Sequence, residues 1–166
     1  MEDPTRVQGL PFQRRITMQV MVYLHIKSGR IMVPSTSKTE AGYYLDCEPV
    51  EVATASDLPS ISQAIKRSWG RGCKAVATPH RDAFPKWVLL KHSGAKTPRE
   101  LHRQCLMWSF GENSDGGFRI EGFKSLADGR GAESDSATLI VFPSGTLFED
   151  AIEKLMEMMR LMPQGR

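Results

Sequence analysis

Apolar and polar residues alternate along residues 18–26: Met18, Val20, Val22, Leu24 and Ile26 fall on one side, Gln19, Met21, Tyr23 and His25 on the other. A period of two in a run rich in β-formers predicts a strand. Ser28-Gly29 reads as a turn, Ile31-Met32-Val33 as a further strand piece, and a Ser/Thr-rich link then leads to a strand over 43–52. In that strand Tyr43, Leu45 and Cys47 alternate with Tyr44, Asp46 and Glu48. Pro49 cannot donate to a ladder, so it marks an edge, an end or a bulge.

The period then changes. Leu58, Ile61, Ile65 and Trp69 form one helical stripe, Ser56 or Asp57 can cap it, Pro59 suits its first turn, and Gly70 and Gly72 end it. Residues 70–85 read as irregular. The apolar run at 86–92 reads as a strand, with a helical turn as the alternative. Thr97-Pro98-Arg99-Glu100 is a capped helix start, and Leu101, Cys105 and Trp108 supply its stripe. Further strands are predicted at 107–110, 118–123 and 138–142, divided by an Asp115-Gly116 hairpin signal and a soft loop at 127–136. Thr146-Leu147-Phe148-Glu149 reads as a second capping box. It opens a final helix with Phe148, Ile152, Leu155, Met156 and Met159 on its buried side, where the methionines belong to the core. A strand, a link and a capped helix recur at 50–65 and 139–152, which reads as a shared supersecondary solution.

These elements predict one α+β domain over 16–162: a mostly antiparallel sheet of about five or six strands with about three packed helices. Residues 1–15 have no periodicity and read as a flexible N-terminal extension.

Composition narrows the class. The 166 residues are 40% hydrophobic and 25% charged, as in ordinary soluble globular proteins. No apolar run approaches the roughly 18 residues of a membrane helix, and no apolar segment follows the N-terminal arginines as a secretory leader would require. Cys47, Cys73 and Cys105 lack metal or disulfide spacing and read as reduced thiols of a cytoplasmic protein. The net charge of +3 hides an asymmetry: residues 66–103 carry +8, residues 104–166 carry −4 and the first 65 carry −1.

Catalytic motifs are missing from the sequence. It has neither a GxSxG nucleophile turn nor a GxxxxGK[ST] phosphate loop, so no enzyme activity and no cofactor is expected. His102 and Cys105 have the spacing of helical metal ligands, but no second pair joins them and no metal is expected. Residues 66–91 offer a nucleic-acid alternative: Lys66, Arg67, Arg71, Lys74, His80, Arg81, Lys86 and Lys91 interleave with Trp69, Phe84 and Trp87. Trp69 and Trp87 fall in apolar stretches, however, and read first as core.

The first half carries a resemblance. Tyr23-Leu24-His25, then Thr39-Glu40-Ala41-Gly42-Tyr43-Tyr44 and Glu48-Pro49-Val50, resembles the opening of immunity proteins of bacterial contact-dependent growth inhibition systems. A central Trp and the Ile140-Val141-Phe142-Pro143 lead into a terminal helix are similar too. The chain departs from that pattern by an insertion at 30–34 and by its basic middle. The resemblance implies a cytoplasmic protein, without catalysis, that binds and neutralises the C-terminal toxin domain of its cognate effector. It implies a protein partner, with no membrane and no small-molecule substrate. Glu40, Tyr44, Asp46, Glu48 and Glu51 are the partner-binding residues expected on this reading, as an acidic strip displayed with an aromatic ring.

Overall fold

A computed structural model describes residues 16–129 and 131–161. The expected extension at 1–15 and the last residue of the expected domain lie outside the described residues.

The chain is an α+β protein. Strands β1 (Ile16–His25), β2 (Arg30–Thr39) and β3 (Tyr44–Thr54) form an antiparallel meander that helix α1 (Leu58–Gly70) follows. Strands β5 (Cys105–Asn113), β6 (Phe118–Ser125) and β7 (Ala132–Val141) repeat that plan before helix α4 (Phe148–Leu161). Between the two units come β4 (Cys73–Val76), a 3-10 turn (Arg81–Ala83), α2 (Leu89–Ser93) and α3 (Pro98–Gln104). The units join by antiparallel pairing of β1 with β5, so the order is β3-β2-β1-β5-β6-β7, with β4 parallel to part of β2. The strand–link–helix echo in the sequence belongs to this duplicated arrangement, in which a helix leaves each edge strand.

The capping signals placed two helix starts correctly. Asp57 Oδ1 accepts from the Ser60 amide at 3.2 Å, and Thr97 Oγ1 accepts from the Glu100 amide at 3.2 Å. Thr146 is different: its hydroxyl donates to the Pro143 carbonyl at 2.8 Å and α4 begins at Phe148.

Elsewhere tertiary pairing overrode local preference. The Ser/Thr-rich link is the second half of β2, because β3 and β4 flank it and pair with its backbone. Ser35 Oγ donates to the Pro49 carbonyl at 2.8 Å and Thr39 Oγ1 to the Tyr43 carbonyl at 3.1 Å. Cys105 and Trp108 belong to β5, since the chain pairs with β1 from His25↔Cys105 onward and α3 stops at Gln104. The run at 86–92 is a loop and the short helix α2; Leu89 and Leu90 are both buried, which no strand alternation provides, and Gly94 at φ 79° stops the helix. Residues 132–136 continue β7, with a bulge where Gly122 donates to Thr138 Oγ1 at 2.8 Å. A Cβ on Gly122 would stand 2.6 Å from that oxygen.

The sheet separates two clusters of buried side chains. On one face Val20, Val22, Ile31, Val33, Trp108, Phe110 and Ile120 meet Ile61 and Ile65 of α1 and Ile152 and Leu155 of α4. Trp69 closes this side against Phe110, Phe118 and Phe148, at ring centroid separations of 5.3, 6.1 and 5.2 Å. On the other face Tyr23, Met32, Cys105 and Met107 meet Leu89 and Leu90 of α2 and Leu101 of α3. Burial pushes the Cys105 thiol up to about 12, so it is inert packing material.

Candidate functional site: a ring-lined cleft

The site begins where the sheet divides. β1 pairs with β2 only at Tyr23↔Met32, Leu24↔Ile31 and His25↔Arg30. From Thr36 onward β4 occupies that edge of β2. Pro34 sits between the two stretches and has no N–H to donate. The outer part of β1 therefore runs apart from β2, and the β2–β3 hairpin curls back toward it: Tyr44 Oη donates to the Ile16 carbonyl at 3.4 Å.

A cleft of about 750 Å³ lies on this side, within the range of ligand pockets. Its walls carry the rings of Tyr23, Tyr43, Tyr44, Phe84, Trp87 and Phe123, with Lys86 and Lys96 among the remaining lining residues. Among the described residues, Asp46 is the single acidic residue of the lining. Tyr23 Oη donates to its Oδ2 at 2.6 Å and Trp87 Nε1 donates to the same oxygen at 2.9 Å. The Tyr23 and Trp87 rings meet edge to face at 5.8 Å and 71°, and Trp87 also lies on the His102 ring at 5.2 Å.

The electrostatics follow from burial. Loss of solvation pushes the Asp46 carboxyl above its ordinary 3.8, although the bonds from Tyr23 and Trp87 pull the other way. Burial, with the adjacent Asp46 charge, also lifts the Tyr23 hydroxyl well above its ordinary 10.0, which keeps it a donor. Among the described residues no cation forms an ion pair with Asp46; the groups that donate to it, a phenol and an indole, are neutral.

A polar clamp holds the wall that carries Trp87. Between Cys47 and Val50 the β2–β3 ladder skips Glu48 and Pro49. Glu48 bulges out there and meets α2: its Oε1 lies 2.9 Å from His92 Nε2 and 3.6 Å from Lys91 Nζ. Arg30 Nη1 donates to the His92 carbonyl at 2.7 Å. The His92 hydrogen bond holds the Glu48 carboxyl below its ordinary 4.5.

At the mouth, Tyr43 and Phe84 stack at 6.4 Å with 22° between their planes. They remain 39% and 54% exposed, which makes them large rings of the cleft lining presented to solvent.

The structure does not assemble the five expected partner-binding residues into one displayed acidic strip. Glu40 is exposed at the tip of the β2–β3 hairpin. Tyr44 and Asp46 line the cleft, Asp46 engaged from above by Trp87. Glu48 clamps α2. Glu51 lies across the sheet, because strand alternation puts it on the α1 face, opposite Tyr44 and Asp46: Arg71 Nη2 reaches it at 2.7 Å and Arg67 Nε at 3.0 Å. Burial opposes its ionisation, but the bonds from Arg71 and Arg67 outweigh that and hold its carboxyl below 4.5.

The basic segment is dispersed in the same way. Lys66 pairs with Glu149, Arg67 and Arg71 with Glu51, and Lys91 with Glu48. Trp69 is a core ring and Trp87 a cleft ring; Phe84 alone of the three aromatics is exposed. No group of three metal-ligating side chains occurs among the described residues. No helix there is long and apolar enough to cross a membrane.

Tyr23, Tyr43, Phe84 and Trp87 were not among the site residues expected from sequence. A partial signal existed: Met21 and Tyr23 mark a second apolar side on β1, and a buried tryptophan needs a partner for its N–H. Nothing in the sequence pairs Trp87 with Asp46, since 41 residues separate them.

Among solved structures, a Neisseria meningitidis protein of unknown function, NMB0488, is similar, with a TM-score of 0.60 over 91% of this chain and 99% of that chain at 11% identity. No family model matches the chain, and no curated protein matches it. The likeness to the Neisseria protein is one of fold.

Proposed function

We propose that the chain is an immunity protein that binds the C-terminal toxin domain of a cognate contact-dependent growth inhibition effector in the cytoplasm and neutralises it by direct contact. The ring-lined cleft is the anchor site, and the protein contributes no catalysis of its own. The observation that carries this reading is the exposed Tyr43–Phe84 stack at the mouth of a 750 Å³ apolar opening. Aromatic rings around a concave centre are the composition of binding hot spots, where a few residues supply most of the affinity. The resemblance in residues 20–52 supports the same partner class, because the hairpin that bears it supplies Tyr43, Tyr44 and Asp46 to the cleft.

The test is genetic and then biochemical. An effector gene should lie beside this one, and co-expressing the chain with that effector's C-terminal domain should restore growth. A neighbouring toxin domain that kills equally well with and without this chain would sink the proposal.

A further inference from the structure

We infer that the cleft receives an arginine side chain of the bound partner, its guanidinium lying against the ring walls and donating to Asp46. This deepens the toxin-binding reading and rests on it for the identity of the partner.

The inference starts from an electrostatic mismatch. Asp46 is half-buried, and carboxylates withdrawn from water are ordinarily paired with a cation or a metal. Asp46 instead takes its two hydrogen bonds from a phenol and an indole, and no Lys, Arg or His of the described residues forms an ion pair with it. Both donors bond Oδ2, which leaves Oδ1 to a group entering the cleft. A carboxylate has about four acceptor positions, so a further charge-assisted bond is chemically available.

The walls select the kind of cation. Tyr23, Tyr43, Phe84 and Trp87 line the cleft together with the acid, while Lys38 already lies over the Tyr44 ring at 5.5 Å. A planar guanidinium stacks on aromatic faces and is more weakly hydrated than an ammonium, so it enters a ring-lined site at lower cost than lysine does. Lys86 and Lys96, both exposed lining residues, oppose a second positive charge. The occupant is therefore one arginine with neutral or acidic neighbours, and not a basic tract.

The experiment uses the full chain and three small probes: N-acetyl-arginine amide, N-acetyl-citrulline amide and N-acetyl-lysine amide. Citrulline keeps the shape of arginine and removes its charge. Titration is followed through the Trp87 indole N–H resonance and by calorimetry. The arginine probe should shift that resonance and bind at least about tenfold tighter than either analogue, the ratio one charge-assisted bond supplies. Asp46→Asn, which keeps an acceptor oxygen toward Tyr23 and Trp87, should bring the arginine and citrulline probes to equal affinity. Equal binding of arginine and citrulline by the native chain would overturn the inference without any variant. Equal binding of arginine and lysine would also overturn it. The two readings fail separately: a toxin domain that binds Asp46→Asn as tightly as the native chain contradicts the arginine site and leaves neutralisation standing. Selective arginine binding by a chain that no neighbouring toxin domain recognises contradicts neutralisation and leaves the site standing.

Discussion

The two faces of this sheet are built from the same kinds of residue and end in opposite states. On the α1/α4 face, helices of 13 and 14 residues lie across the strands and close over Trp69, Phe110, Phe118 and Phe148. On the other face, helices of 5 and 7 residues and a long connection leave Tyr43 and Phe84 in solvent and a cleft between Tyr23, Trp87 and Asp46. A long amphipathic helix buries a continuous stripe; two short ones cannot cover the same strands. Rings alone therefore do not make a core or a site. The length of the covering element decides which they become.

That contrast can be broken by substitution, and the largest effect belongs to the closed face. Trp108 is 2% exposed in the strand at its centre. Trp108→Ala should cost about 3–5 kcal/mol of unfolding free energy in a denaturant titration, through lost burial and the space left behind. A cost below 1 kcal/mol would mean that this face is not the principal core.

On the open face, Tyr23→Phe should cost about 1–3 kcal/mol, because it keeps the ring and removes the 2.6 Å donor to a carboxyl shielded from solvent. If the same titration finds no loss, the Tyr23–Asp46 bond is not formed in solution.

The two engaged acids sharpen the comparison through pH. Glu51 is held below 4.5, so its contribution is present above that pH and fades as the pH falls through the lower folded value. Glu51→Gln should destabilise by about 1 kcal/mol at neutral pH, with the difference vanishing in acid. Asp46 behaves in the reverse sense. Its carboxyl is raised above 3.8, so the folded chain holds the proton more tightly and stability is lost as the pH rises past 3.8. Asp46→Asn should raise the thermal midpoint at neutral pH and match the native chain near pH 3. Parallel pH profiles for the two variants would contradict the opposed environments assigned to these residues.

The smallest stability effect is expected at the mouth. Phe84→Ala should change unfolding free energy by less than about 0.5 kcal/mol, because the ring is already 54% exposed. A larger loss would make Phe84 a structural ring and weaken the case for a docking surface.

How far the sequence reveals this follows the same division. The closed face was legible: the alternation of Val20, Val22 and Leu24 and the stripes Ile61/Ile65 and Ile152/Leu155 all point into one core. Asp57 and Thr97 announced their helices through chemistry confined to four residues. The open face was legible only in pieces. Asp46 and Tyr44 were singled out, yet they read as displayed because nothing local reports that Trp87 folds over Asp46 from 41 residues away. Glu51 read as part of the same strip although its odd position puts it on the opposite face from Tyr44, Asp46 and Glu48, and the skipped pair Glu48-Pro49 leaves that alternation intact. The Ser35–Thr39 stretch read as a link because its backbone is paired only once β3 and β4 are in place.

We propose that the open, ring-lined face is where a toxin domain docks. Calorimetry of the neighbouring effector's C-terminal domain with the native chain and with a Tyr43→Ala/Phe84→Ala double variant tests it most directly. The account predicts tight binding by the native chain and a loss of at least about a hundredfold in the variant, the scale of two aromatic anchors. Equal affinity for both proteins, with each fully folded, would contradict it.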